Sequence, residues 1–234
     1  MSATRILHVD DEPDIREIVA ISLGLNTEFE VRACACGPDA ITTAAEWSPF
    51  LILLDVMMPG MDGPTTLTHL RDNPRTGNIP VLFMTARAQA REVDQFIALG
   101  AHGVISKPFD PMMLATEVRN HLHTIKLATL RTGFMRRAKS DAELLAAFRS
   151  SLGEDSYSAT ASQIRKIAHG LAGAAGLYGF DQISSNAAAL EDALVATLEG
   201  GGTSKEVVHA LDRLMSQMES QWETPQLNRA QSAA

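Results

Sequence analysis

The stretch Leu51-Ile52-Leu53-Leu54 runs without a polar break into Asp55, and Val56-Met57-Met58-Pro59-Gly60-Met61-Asp62-Gly63 follows as a loop of tight-turn residues, which leaves few folds open to this chain. An uninterrupted apolar strand is buried on both faces and so belongs in the middle of a parallel sheet. Ligands of such sheets gather beyond the strands' carboxyl ends. Asp55 stands at one of those ends.

Other segments repeat the pattern. Arg5-Ile6-Leu7-His8-Val9 leads into Asp10 and Asp11, Pro80-Val81-Leu82-Phe83-Met84 delivers Thr85, and Val104-Ile105-Ser106 delivers Lys107 before Pro108. Helical patterns lie between them, over 15–25, 40–47, 65–71 and 92–99, and 29–33 reads as one further strand. This alternation predicts an α/β domain with a five-stranded parallel sheet, doubly wound in the flavodoxin-like manner. Right-handed crossovers would bring all four polar strand ends to one rim.

Charge dictates what that rim can do. Carboxylates about 4 Å apart repel by roughly 4 kcal/mol per pair at an effective dielectric near 20, so Asp10, Asp11 and Asp55 call for a cation. Oxygen-only ligands suit a hard ion such as Mg²⁺, which keeps several waters and bridges carboxylates to phosphoryl groups. Lys107 and the Thr85 hydroxyl would then bind phosphoryl oxygens, leaving Asp55 to attack phosphorus. The expected product is an aspartyl phosphate.

These residues, in this order, make residues 1 to about 123 resemble a response-regulator receiver domain. The resemblance rests on the acidic pair Asp10 and Asp11, on Asp55 with its following Met-Pro-x-Met-Asp-Gly pattern, on Thr85 before Ala86, and on Lys107 before Pro108-Phe109. It implies a Mg²⁺ held by Asp11, Asp55 and the main-chain carbonyl of Met57 with Asp10 assisting, a cis peptide at Lys107-Pro108, and a sensor histidine kinase as partner. One position departs from the family. Val104 stands where many receivers carry the aromatic residue that swings inward on phosphorylation, which weakens the case for an aromatic-coupled output. Met57 and Arg87 occupy positions that in the family tune phosphoryl lifetime.

Composition narrows the rest. At 234 residues the chain has room for about two small domains. With no segment that reads as a signal peptide or a long apolar span, it is expected to be soluble and cytoplasmic, without membrane contact. Cys34 and Cys36, two apart at the end of a predicted strand, are too close for an ordinary disulfide and too few for a metal site, so they read as buried or half-buried thiols. Through residue 125 the chain has 9 Lys plus Arg against 16 Asp plus Glu, and beyond it 11 against 12, so the acidity belongs to the first half. The only basic cluster, Arg131, Arg136, Arg137 and Lys139, reads as a solvated helix face, and no nucleic-acid partner is expected.

From about residue 126 the pattern changes to helix alone. Ser140 with Glu143, Thr160 with Gln163 and Thr203 with Glu206 each fit a capping box. The apolar spacing predicts helices over 141–152, 160–177, 181–199 and 204–222, an all-α antiparallel four-helix bundle. The expected organisation is therefore a receiver-like domain over 1–123, a helical linker over 124–139, the bundle over 140–222 and a disordered tail over 223–234.

The second of these helices carries the other candidate site. At about 100° per residue, Ile164, Ile167, Ala168, Leu171, Ala175 and Tyr178 share one face, and His169 points away from it. Ser162, Arg165, Lys166, Gly173 and Gly176 share the outer face with His169. An incidental surface histidine is the plain alternative. Yet small residues beyond His169 leave room for another protein to approach, Arg165 and Lys166 would attract a phosphoryl group, and a neutral imidazole is a competent phosphoryl nucleophile.

The run Ala168-His169-Gly170-Leu171-Ala172-Gly173-Ala174-Ala175-Gly176-Leu177-Tyr178-Gly179, together with Leu190-Glu191, resembles the phosphoacceptor helix of a histidine-containing phosphotransfer (HPt) domain, over about residues 127 to 222. The resemblance implies that His169 carries a phosphoryl group and that another response regulator is a downstream partner. The family usually has a lysine where Ala172 stands, and Lys166, one turn before His169, is the candidate replacement.

Three readings follow. The favoured one is a two-component phosphorelay protein with phosphoryl stations at Asp55 and His169, a phosphotransfer protein whose receiver catalyses its own phosphorylation and dephosphorylation. In the second, the helical domain has lost phosphotransfer and serves for docking or dimerisation. The third is a Mg²⁺-dependent phosphatase with an aspartyl nucleophile, whose usual second acid would fall at Met57. No Gly-rich nucleotide loop is present, so the phosphoryl group must come from another molecule.

Overall fold

The apolar runs become five parallel strands, β1 (Thr4–Val9), β2 (Phe29–Cys34), β3 (Leu51–Asp55), β4 (Val81–Thr85) and β5 (Gly103–Ser106), in the order β2-β1-β3-β4-β5. Helices α1 (Pro13–Gly24), α2 (Gly37–Trp47), α3 (Gly63–Asp72) and α4 (Ala90–Ala98) connect them. This is the computed structural model of the chain, which describes residues 3–86, 89–150 and 157–223. It divides into two compact units, Met1–Lys126 and Leu127–Ala234.

Sheet alternation sorts the strand side chains into two cores. Ile6, Leu51, Leu53, Leu82, Met84 and Ile105 meet Val19 and Leu23 of α1 and Leu114, Val118 and Leu122 of the last helix of this unit. Leu7, Val9, Ile52, Leu54, Val81 and Phe83 meet α2 and α3 through Ala40, Ala44, Leu67 and Leu70. All four residues of the Leu51-to-Leu54 run are fully buried. Each contributes on the order of 2 kcal/mol relative to an exposed position. The sheet is thus covered on both faces, as a run without polar breaks requires.

Three of the connecting helices begin with proline inside the first turn, at Pro13, Pro38 and Pro64, ahead of the apolar residues from which a helix is read in sequence. Proline suits that position because its missing N–H would be unpaired there in any case. The expected helix starts at 15, 40 and 65 therefore fall two or three residues late. Cys34 and Cys36 are free and half-buried, and the Cys34 thiol lies 3.4 Å from Thr43 Oγ1.

A single helix, α5 (Leu114–Ser150), supplies both units. Leu114, Val118, Leu122 and Ile125 pack into the first, while Phe134, Ala138, Ala142 and Leu145 pack into the second. The second unit adds α6 (Tyr157–Ala175), α7 (Asp181–Leu198) and α8 (Ser204–Glu223), four helices around one core. Arg136, Arg137 and Lys139 are exposed on α5, and Arg131 lies over the Phe180 ring at 5.1 Å.

The bundle differs from expectation in where its helices start. Ser140 lies inside α5 and Thr160 inside α6, where it is buried, so neither forms a cap. Apolar residues at helical spacing, Phe134 through Leu145, continue across Ser140, and their burial outweighs a local capping signal. The stretch 124–139, expected as a helical linker, lies within α5 and contributes Ile125, Phe134 and Ala138 to the cores. The third capping box does form. Thr203 N donates to Glu206 Oε2 at 2.8 Å and Glu206 N to Thr203 Oγ1 at 3.3 Å. The expected tail from residue 224, positions 151–152 of an expected helix, and Arg87 lie outside the described residues.

Candidate functional site

The carboxyl ends of β1, β3, β4 and β5 bring Asp10, Asp55, Thr85 and Lys107 to one rim. Asp10 has no exposed surface, and Asp55 and Thr85 are buried. Lys107 Nζ donates to Asp10 Oδ2 at 2.6 Å and to Asp55 Oδ1 at 2.5 Å, so one ammonium ties the two acids together. The other oxygens are held by main chain. Asp10 Oδ1 accepts from Glu12 N at 3.0 Å, and Asp55 Oδ2 accepts from Met57 N at 2.9 Å. Lys107 N in turn donates to Thr85 O at 2.7 Å, and the Lys107-Pro108 peptide is cis.

Electrostatics follow from this packing. Burial pushes the Asp55 carboxyl above its ordinary value, opposed by its bonds to Lys107 and Met57 N, while Asp10 adds to the rise. Burial alone would lower the Lys107 ammonium, but its bonds to Asp10 and Asp55 outweigh that and raise it. Among the described residues no group of three or more His, Cys, Asp or Glu side chains is arranged as a metal cage. Asp10, Asp55 and the half-buried Asp11 offer oxygen donors of the kind a hard cation takes, and such an ion needs only one or two carboxylates beside its waters.

The loop after Asp55 is shaped by its own motif. Asp62 Oδ1 caps α3 by accepting from Thr65 N at 2.8 Å, and Gly63 N donates to Val56 O at 3.0 Å. A Cβ on Gly63 would lie 2.4 Å from Asp55 O and 2.9 Å from Val56 Cα. Only glycine permits that approach, so the Asp62-Gly63 pair sets the backbone on which Asp55 stands. Val104 is half-buried and packs against the core that contains Phe83.

Two neighbours of the rim were not among the expected site residues. Arg16 Nη1 donates to Asp10 O at 2.7 Å and to Asp11 O at 2.8 Å, fixing the acidic turn from α1. Nothing in a single sequence marks that contact. His8, fully buried, has Nε2 3.8 Å from Asp10 Oδ2, and burial pulls its imidazole down to about 4 against the opposing pull of Asp10. A histidine inside an apolar strand was a visible signal.

In the second unit, His169 projects from α6 with 77% of its side chain exposed, while Ile164, Ala168, Leu171 and Ala175 are buried in the bundle core. Its Nδ1 lies 3.1 and 3.2 Å from the two carboxylate oxygens of Glu191 on α7, and Arg165 Nε lies 3.7 Å from Glu191 Oε1. Ser162, Arg165, Lys166, His169 and Glu191 line a shallow concavity of about 310 Å³. A Cβ at Gly170 or Gly173 would meet nothing within 4 Å, so the surface beside the imidazole is open. Ala172 is half-buried against the core, and its carbonyl accepts from Ser184 Oγ at 2.6 Å. With Nδ1 on a carboxylate, Nε2 is the ring nitrogen left for chemistry.

A doubly wound sheet with paired acids and a lysine at its carboxyl rim, followed by a helical bundle with an exposed histidine, defines a class of signalling phosphotransfer proteins. Comparison with known proteins identifies the two parts. Residues 6–119 match the response regulator receiver domain and residues 112–221 the Hpt domain, so the chain joins a receiver domain to an Hpt domain. The Hpt match begins within the first unit, in keeping with the continuity of α5 across both.

Relatives of the receiver part include response regulator PleD of Caulobacter vibrioides, 44% identical over 122 residues, or 51% of this chain and 26% of that protein. The phosphate regulon transcriptional regulatory protein PhoB of Escherichia coli is 37% identical over 117 residues, or 50% of this chain and 51% of that one. The chain thus spans about a quarter to a half of these relatives. The solved structure of chemotaxis response regulator CheY4 of Vibrio cholerae is similar over 51% of this chain and 99% of that one, with 28% identity and a TM-score of 0.49. No described helix is long and apolar enough to cross a membrane.

Proposed function

We propose that this two-component phosphorelay protein carries two phosphoryl stations, Asp55 in the receiver and His169 in the Hpt domain. The observation that carries the reading is that each nucleophile has the partner its chemistry needs. Asp55 shares Lys107 with a second acid, and the His169 imidazole has Nδ1 on Glu191. An Asp55 oxygen attacks the phosphorus of a phosphohistidine, the P–N bond breaks, and the leaving nitrogen keeps the electron pair as the acyl phosphate forms. Lys107 and the Thr85 hydroxyl then serve the phosphoryl oxygens.

Asp10, Asp11, Asp55 and the main-chain carbonyl of Met57 are the residues that would hold Mg²⁺. A Mg²⁺ held by these residues would offset their acidic charge and that of an incoming phosphoryl group. At His169, the Glu191 carboxylate selects the tautomer with the proton on Nδ1 and steadies the charge that grows on the ring as Nε2 bonds to phosphorus. Arg165 and Lys166 flank the same concavity and draw the phosphoryl group in. The partners of this reading are a sensor histidine kinase as donor and a second response regulator that exchanges phosphoryl groups with His169.

The test supplies labelled acetyl phosphate and Mg²⁺ to the full chain. Acid-stable, base-labile label that disappears in Asp55→Asn supports an aspartyl phosphate, and label unaffected by that substitution refutes it. A second reading, a bundle used only for docking, is favoured by Ala172, and its signature is that label never reaches His169. An aspartyl phosphatase would place an acid at Met57, whose side chain is apolar and exposed.

A further inference from the structure

β1 places a histidine where the strands beside it place aliphatic residues. His8 shares a face of the sheet with Ile6 and Asp10, is fully buried, and neither ring nitrogen has a hydrogen-bond partner among the described residues. A buried polar group left unpaired costs about 1–3 kcal/mol. An aliphatic residue would fill the site without that cost, so the imidazole needs a reason to be there.

The neighbouring acid supplies one. Asp10 Oδ2 lies 3.8 Å from His8 Nε2, just beyond hydrogen-bond reach, because Lys107 Nζ holds that oxygen at 2.6 Å and holds Asp55 Oδ1 at the same time. Phosphorylation of Asp55 would add about 1.5 to 2 negative charges and three acceptor oxygens beside this ammonium. As Lys107 turns to them, Asp10 Oδ2 loses its hydrogen-bond donor in a side chain with no exposed surface, and a Mg²⁺ that Asp10 helps to hold would offset charge without supplying a donor. Arg16 meanwhile holds the Asp10 and Asp11 carbonyls, so the main chain cannot carry the carboxylate away to water. A shift of about 1 Å brings Nε2 within bonding distance of the abandoned oxygen.

We propose that His8 is a positioning residue: its Nε2–H is the reserve donor that takes over Asp10 Oδ2 when Lys107 leaves that oxygen for a phosphoryl group on Asp55. The inference rests on the reading of Asp55 as phosphoacceptor. His8 touches no phosphoryl oxygen in this scheme. It stabilises the phosphorylated arrangement by keeping Asp10 in place, and it does nothing comparable in the unphosphorylated one.

The test uses beryllofluoride with Mg²⁺ as the phosphoryl mimic on the full chain. Loss of one hydrogen bond to a charged group predicts that His8→Val binds beryllofluoride about tenfold or more weakly than wild type, with no loss of thermal stability in its absence. His8→Gln, whose amide nitrogen reaches the same place as Nε2, should recover most of that affinity. In wild type labelled with ¹⁵N-histidine, the His8 Nε2–H proton signal should move downfield when beryllofluoride binds. Wild-type affinity in His8→Val, or a His8 signal that does not respond, overturns the proposal. Should His8→Val fail to fold, the wild-type signal decides alone. If wild type binds no more beryllofluoride than Asp55→Asn, the reading of Asp55 fails first and the role of His8 falls with it.

Discussion

Replacing Lys107 with methionine removes the ammonium between Asp10 and Asp55 while keeping an apolar stem of similar length. The two oxygens touch the same nitrogen at 2.6 and 2.5 Å, so they stand no more than about 5 Å apart. Two unit charges at that separation repel by about 3 kcal/mol at an effective dielectric near 20. The receiver of Lys107→Met should therefore be less stable by about 3 kcal/mol near pH 8 without divalent metal, a large share of a small domain's stability.

The sign with pH follows from the carboxyls. Burial already raises the Asp55 carboxyl, so the folded state favours its protonated form, and the stability linked to it falls as pH rises through that raised value. Without the opposing Lys107 the rise is larger, and the deficit closes as acid protonates Asp55. At the alkaline end the wild type has one further step in the same direction. Its Lys107 ammonium is raised, so the stability it provides is complete below the ordinary lysine value and is lost as pH climbs through the folded one, a step that Lys107→Met lacks. Urea unfolding followed by fluorescence checks this in a Trp222→Phe background, where Trp47, buried in the receiver core, is the one tryptophan left. A deficit that is absent near pH 8, or that does not shrink toward acid, refutes the reasoning.

Other perturbations separate the two sites. Glu191→Gln keeps the volume but removes the charge facing His169 Nδ1, and loss of a charge-assisted bond should slow phosphotransfer through His169 on the order of tenfold while leaving acetyl phosphate labelling of Asp55 unchanged. Lys166→Ala should slow transfer through His169 far more than Lys205→Ala, since Lys166 shares the concavity of the imidazole and Lys205 lies on α8. Stopped transfer assays on the two variants test that ranking, and equal rates contradict it. Gly63→Ala should destabilise the receiver by about 1–3 kcal/mol in urea unfolding, because the added methyl group is driven into the Asp55 carbonyl.

What could be read in the sequence were positions that depend on the chain's own alternation. Asp10, Asp55, Thr85 and Lys107 each follow an apolar run, and a parallel sheet collects such ends without any further information. His169 stood out because a helix wheel needs only local periodicity. The contacts that complete these sites come from other elements. Glu191 reaches His169 from α7, and Arg16 grips Asp10 and Asp11 by main-chain atoms that carry no side-chain signature. Ser140 misled in the opposite way. Its capping pattern is real as a local preference, but the burial of Phe134, Ala138, Ala142 and Leu145 on one continuous face keeps α5 helical through it.

The most direct test follows one phosphoryl group between the two stations. The full chain is incubated with Mg²⁺ and a phosphorylated histidine kinase domain, or with acetyl phosphate, and label is sorted into base-labile acyl phosphate and acid-labile phosphohistidine in wild type, Asp55→Asn and His169→Gln. Both species should form in wild type, with Asp55→Asn lacking the first and His169→Gln the second. Phosphohistidine that persists in His169→Gln, or that never forms in wild type, would contradict a second station at His169.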